Sequence, residues 1–154
     1  MNYTDVLIEE TEQLAEWITP ELFDSIRPGD IIIAKIYQYG STDHQARPVL
    51  VVNKSANEAY GFFITSTNEN EHYDFYKVPI TELAGTGLTK SSYINITREV
   101  NLKPQYISGP KPVIGHISKD DLLQLIKHLS DIYYVRSYPF KYNIKLVLNN
   151  LKQI

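Results

Sequence analysis

The sequence predicts an α+β domain that is predominantly β, built as a small barrel or strongly curved sheet with helices before and after it. Three observations carry this. Between residues 27 and 117, short β-branched and aromatic runs alternate with Gly, Pro and Asn turns. On either side, the apolar residues switch to helical spacing. The 154 residues, 43% hydrophobic and 21% charged, suffice for one domain with a real core.

In residues 1–26, Leu7, Leu14, Trp17 and Ile18 fall near helical spacing with acids between them, which predicts a helical N-terminal extension. "TPELFDSI" opens a second short helix, with Thr19 as its cap and Pro20 at the first helical position. The runs "DIIIAKIY", "RPVLVVNK", "AYGFFITS", "YDFYKVPI", "SSYINIT" and "PVIGHI" predict strands, with "RPGD", Gly40, Asn57, Gly85 and Gly87 marking turns. Ser118 then caps a helix, with Asp121 at the capping-box position and an apolar stripe of Leu122, Leu125, Ile126 and Leu129. After "SYPF", a last amphipathic helix places Ile144, Val147, Leu148 and Leu151 on one face. The expected boundaries are an acidic extension at 1–26, a barrel domain with its helix at 27–130, and a helical extension of that domain at 131–154.

Composition excludes several chemistries. Without cysteine there is no disulfide framework, thiolate nucleophile or cysteine-ligated metal, and the chain suits a reducing cytoplasm. "MNYTDVLIEE" lacks the basic start and apolar run of a secretory signal. No apolar stretch approaches the ~18 residues of a membrane span, so no membrane is expected as partner. His44, His72, His116 and His128 are scattered, away from the close carboxylate pairings of a metal site, and no metal is expected. "GTGLTK" is too short for a phosphate-binding glycine loop and lacks its strand–helix context. Asp120 and Asp121 read as first-turn acids on a helix dipole.

The net charge of −3 conceals an asymmetry. Residues 1–26 carry seven acids and no Lys or Arg, leaving the remainder at +4. A mildly basic body is compatible with nucleic-acid binding, and the acidic leader with a solvated helix face. In "DIYYVRSYPFKYNIK", Tyr133, Tyr134, Tyr138, Phe140 and Tyr142 interleave with Arg136, Lys141 and Lys145. Such rings either stack on single-stranded bases or pack the last helices onto the sheet.

One stretch stands apart. "GSTDHQARPVLVV" sets Arg47 at the mouth of a buried strand, pinned by Pro48. With "RPGDIIIAKI" before it and "FFITS", "SSYINITREV" and "IGHISKDDLLQLIKHL" after it, the ordered series resembles the MazF/PemK (Kid-like) toxins of type II toxin–antitoxin systems. The resemblance spans about residues 27–130.

It implies an SH3-like small barrel of MazF/PemK type with a C-terminal helix, acting as a homodimer. The implied activity is metal-independent, cofactor-free endoribonuclease action on single-stranded RNA, with a cognate antitoxin as protein partner. It places Arg47 and Thr65 in the active site and Ser41 at a loop position that holds Ser or His in relatives. Ser66 follows Thr65 in the "TS" pair that closes the third strand. His44 lies in the same loop as Ser41, and its ordinary pKa suits a general base, though the family pattern does not require it. Where many members carry a "QIRTID"-like segment, this chain reads "NITREVNL". Arg98 is the counterpart arginine, without the glutamine, so the resemblance supports a phosphate contact but not the same base readout.

Other readings of these residues stand beside this one. Arg47 can pair with Asp43 or Asp74 at the surface, and Thr65 can serve β propensity alone. A protein of the same fold can act by binding RNA or a protein target without cleavage, or serve as a small-barrel interaction module.

Overall fold

Burial on both faces makes "PVLVV" the centre of the sheet. In the computed structural model, which describes residues 5–7, 18–38, 44–66 and 75–154, the elements run in order. They are β1 (Asp5–Leu7), α1 (Pro20–Ser25), β2 (Asp30–Gln38), β3 (His44–Lys54), β4 (Ala59–Ser66), β5 (Lys77–Ile80), β6 (Ser92–Leu102), β7 (Val113–His116), α2 (Lys119–Tyr134) and α3 (Ile144–Leu151). The strands form one antiparallel sheet in the order β1-β2-β3-β4-β6-β5, with β7 also on β2.

Strand alternation divides the core in two. Leu50 and Val52 of β3, with Ile31, Phe62 and Ile94, face α2 and α3. Val49 and Val51, with Ile32, Ala34 and Phe63, face α1 and Ile107. A strand covered on both sides reads as a continuous apolar run, which is why "PVLVV" shows no alternation.

The sheet is not closed into a barrel by strand pairing. β5 has four residues and does not reach β7. The turn after β5 bridges the gap, with the His116 N–H donating to the Gly85 carbonyl at 2.8 Å. This contact needs bare backbone. A Cβ on Gly87 would lie 2.3 Å from the Ile114 carbonyl oxygen, and one on Gly115 would lie 2.3 Å from the Thr86 carbonyl carbon. His116 Nδ1 also meets Asp30 Oδ1 at 2.6 Å, tying β7 to β2.

The N-terminal expectation needs correction. Asp5–Leu7 pairs as a strand with Ile36–Gln38 of β2, where a helix was expected, and Leu14 and Trp17 lie outside the described residues. β7 pairs with β2 only at Asp30–Ile32, so the far end of that edge offers open backbone groups. Pairing them outweighs a local helical period. The second helix forms as expected: Thr19 Oγ1 accepts from the Leu22 N–H at 3.2 Å, and Phe23 is buried.

α2 starts at the Ser118 cap, whose Oγ accepts from the Asp121 N–H at 3.1 Å. Asp121 itself neither completes a capping box nor faces solvent. It is 1% exposed. Its carboxylate accepts from the Thr81 N–H (3.0 Å), the Thr81 hydroxyl (2.6 Å) and the Glu82 N–H (3.1 Å). This carboxylate ties α2 to the segment after β5. α2 runs on to Tyr134, past the expected boundary at 130, and Ile144, Val147, Leu148 and Leu151 of α3 are all buried.

The aromatic tail packs, except Tyr134, which is exposed. Tyr142 stacks on Tyr60 at 4.3 Å between ring centroids and accepts from Asn53 Nδ2 at 2.6 Å. Tyr133, Tyr138 and Phe140 also lie against the first core. Arg136 sits over the Phe75 ring at 4.0 Å.

Asp121→Ala strips three buried hydrogen bonds from one carboxylate. The expected loss is about 3 kcal/mol, with Asp121→Asn falling between it and the unaltered protein. Urea unfolding of the three proteins checks this through the midpoint at constant slope.

Candidate functional site

β3 and β4 pair from Lys54↔Ala59 to Val49↔Phe63 and then part. Pro48 lies just beyond the last pair and has no N–H to donate. The strands diverge there around a cleft of 710 Å³. Its walls are residues 46–48 of β3, residues 64–66 of β4 and, on the far side, Leu88, Thr89, Lys90 and Ser92.

Arg47 enters from β3, opposite Ala34 of β2 in the register. It is half-buried, and loss of hydration holds its pKa below the usual guanidinium value. The group still carries its charge at neutral pH, now in surroundings that screen it less than bulk water.

Thr65 stands on the opposite strand, paired with Tyr93 of β6. Among the described residues, its Oγ1 is the buried side-chain polar atom without a hydrogen-bond partner. Such an orphan costs about 1–3 kcal/mol. The oxygen is shielded from solvent although Thr65 lines the cleft.

Ser66 is exposed at the end of β4, opposite Ser92. Arg98 does not line the cleft. Its guanidinium lies over the Phe63 ring at 4.8 Å, half-buried, with its pKa lowered by desolvation.

A bulge produces that placement. Phe62 pairs with Glu99 but Ile64 pairs with Ile94, so β6 carries three extra residues across this step. Asn95 Oδ1 closes the bulge, accepting from the Thr97 N–H at 3.2 Å and the Thr97 hydroxyl at 2.7 Å. Ile94 and Ile96 therefore face the first core while Val100 and Leu102 face the second. Arg98 lands on the Phe63 face, and Glu99 turns the other way to accept from the Tyr60 hydroxyl at 2.6 Å. Burial, and after it that bond, push the Tyr60 pKa upward, so its hydroxyl stays protonated.

Ser41 lies outside the described residues, as do Asp43 and Asp74. His44 opens β3, opposite Tyr37. Among the described residues, no three His, Asp or Glu side chains gather as a metal site. The sequence reading missed Lys90, Thr89 and Ser92. Their signal is Thr89 and Lys90 at the end of "GTGLTK", the segment set aside as too short for a phosphate loop, with Ser92 two residues further on.

A family profile described as PemK-like, MazF-like toxin of type II toxin–antitoxin system matches residues 27–133. The chain belongs to this family. In this PemK/MazF-type toxin the match takes in every residue of the cleft and stops within α2. Among solved structures, the Mycobacterium tuberculosis toxin MazF-mt6 is similar, at 18% identity and a TM-score of 0.49. The alignment covers 68% of this chain and 95% of that one. No curated protein matches the chain in sequence.

Thr65→Val replaces an orphaned hydroxyl with a methyl of the same shape. Stability is expected to stay level or rise by about 1 kcal/mol, with an unchanged denaturant slope. A fall of that size in urea unfolding would show that the hydroxyl is satisfied in solution.

Proposed function

We infer that this toxin is a metal-independent endoribonuclease that cuts single-stranded RNA, mRNA included, at preferred sequences and so restrains growth. The observation that carries the reading is that Arg47 and Thr65 line one cleft whose described lining holds no carboxylate. A desolvated cation beside hydroxyl groups is chemistry for an anion.

In the proposed reaction the ribose 2′-oxygen attacks the adjacent phosphorus and gives up its proton to a base. The bond from phosphorus to the 5′-oxygen breaks, and that oxygen takes up a proton. The products are a 2′,3′-cyclic phosphate and a 5′-hydroxyl. Negative charge builds on the non-bridging oxygens during attack. The Arg47 fork meets that charge with paired N–H donors, held in place by Pro48 and the buried strand. Thr65 adds a hydroxyl bond to the same phosphate. The lowered pKa of Arg47 makes it a better proton donor to the departing oxygen than a solvated guanidinium would be. His44, at the start of β3, is the candidate base. Arg98, on the same face as Phe63, is suited to a flanking phosphate. A homodimer working in the cytoplasm and restrained by a cognate antitoxin completes the reading.

Arg47→Ala should lower cleavage at least ~100-fold, the scale of losing one preorganised donor, while circular dichroism remains unchanged. Near-normal turnover by the folded variant would overturn the assignment. The mechanism carries a second expectation. Cutting should persist in chelator, leave a cyclic phosphate, and stop when the 2′-hydroxyl at the cut site is replaced by hydrogen. Cleavage of the deoxy-substituted RNA at a comparable rate would instead require water as nucleophile.

A further inference from the structure

The far wall of the cleft is as well built as the near one. Residues 81–91 connect β5 to β6 without regular structure, yet they are anchored at several points along their length. Asp121 holds the N–H groups of Thr81 and Glu82. Thr86 is fully buried. Its hydroxyl donates to the Leu83 carbonyl at 2.6 Å and accepts from the Leu88 N–H at 3.1 Å. Gly85 is held by the His116 N–H, and Gly87, with φ +77°, lies against the Ile114 carbonyl. At the far end, the Ser92 hydroxyl donates to the Lys90 carbonyl at 2.8 Å. Leu88 packs against the first core. Lys90 is exposed, on a backbone fixed at both sides, across the cleft from Arg47.

The charge pattern decides what this wall faces. The described lining includes Arg47, Lys90 and four hydroxyl residues, with no Asp or Glu. A volume of 710 Å³ exceeds what one phosphate fills and lies within the range of sites for ligands of nucleotide size and above. We propose that Lys90 is a substrate-positioning residue that grips a phosphate flanking the scissile one, so that Arg47 and Lys90 hold successive phosphates of a single strand from opposite walls. This rests on the functional reading above and extends it to the way the strand is held. Lysine suits the role because it acts as a mobile point charge that tolerates variation in backbone geometry, while the planar fork of Arg47 serves the reacting centre. Lys90 then contributes to ground-state and transition-state binding alike, and its loss raises KM with kcat unchanged.

The test uses the full chain with Lys90→Ala and Lys90→Arg, neither of which alters a buried side chain. Binding is read by fluorescence anisotropy over a series of salt concentrations, with a labelled single-stranded RNA made uncleavable by 2′-O-methyl groups. Release of one phosphate contact should lower the slope of log affinity against log salt by about 0.7, equivalent to about five-fold weaker binding at ~0.1 M salt. Lys90→Arg should restore both. On cleavable RNA, Lys90→Ala should raise KM by a similar factor and leave kcat within about two-fold. Unchanged affinity and slope in Lys90→Ala, with the unaltered protein binding RNA, would overturn this proposal alone. Weaker binding at an unchanged slope, or a fall in kcat at constant KM, would also overturn it by assigning the lysine another role. If the unaltered protein binds an acidic peptide but no RNA, the cleft belongs to a carboxylate partner, and both this proposal and the functional reading fail.

Discussion

The structure depends on burying one strand from both sides. Val49 to Val52 send alternate side chains into two separate cores, one closed by α2 and α3 and the other by α1 and Ile107. With both faces dry, the backbone groups of the strand must pair laterally, and β2 and β4 supply the partners. The register that results sets the position of every residue on the strand. Shifting it by one would exchange the two cores and carry Arg47 to the other face. The place of Arg47 on the strand is therefore set by the packing of its neighbours.

The cleft is the place where that arrangement ends. β3 and β4 separate past Val49↔Phe63, just before the proline, and the third wall comes from the segment between β5 and β6. The anchors of this segment lie elsewhere in the molecule. Asp121 on α2, the backbone of β7 and the buried hydroxyl of Thr86 hold it in place. Stability and the cleft are thus coupled, because the hydrogen bonds that dock α2 and bridge the sheet also anchor the segment that forms the third wall.

Two residues of the cleft carry a cost of burial. Arg47 has lost part of its hydration, and Thr65 keeps a hydroxyl that no described group satisfies. Each carries a desolvation cost, which the phosphate contact proposed above would offset. Local rules of polar satisfaction tend to fail at functional sites for this reason. Arg98 differs, since Phe63 already covers its guanidinium through a cation–π contact.

Most of the secondary structure was legible in the sequence because its causes are local. The Thr19 and Ser118 caps, the stripe of Leu122, Leu125 and Leu129, the α3 face and the apolar strands all depend on spacing within one segment. The family to which the segment around Arg47 and Thr65 belongs was legible too, as an ordered series of short motifs along the chain. What only the tertiary structure decided depends on partners distant in sequence. The strand at Asp5–Leu7 exists because β2 has an open edge. The face taken by Arg98 follows from a bulge visible only when β6 is laid against β4. Asp121 reads as an exposed first-turn acid until Thr81 and Glu82, some 40 residues earlier, turn their donors towards it. Lys90 becomes part of the cleft only because two glycines let backbone meet backbone at β7 and swing its segment across from Arg47. Spacing records which way a side chain faces on its own element, whereas the identity of what it faces is set by register and closure between elements.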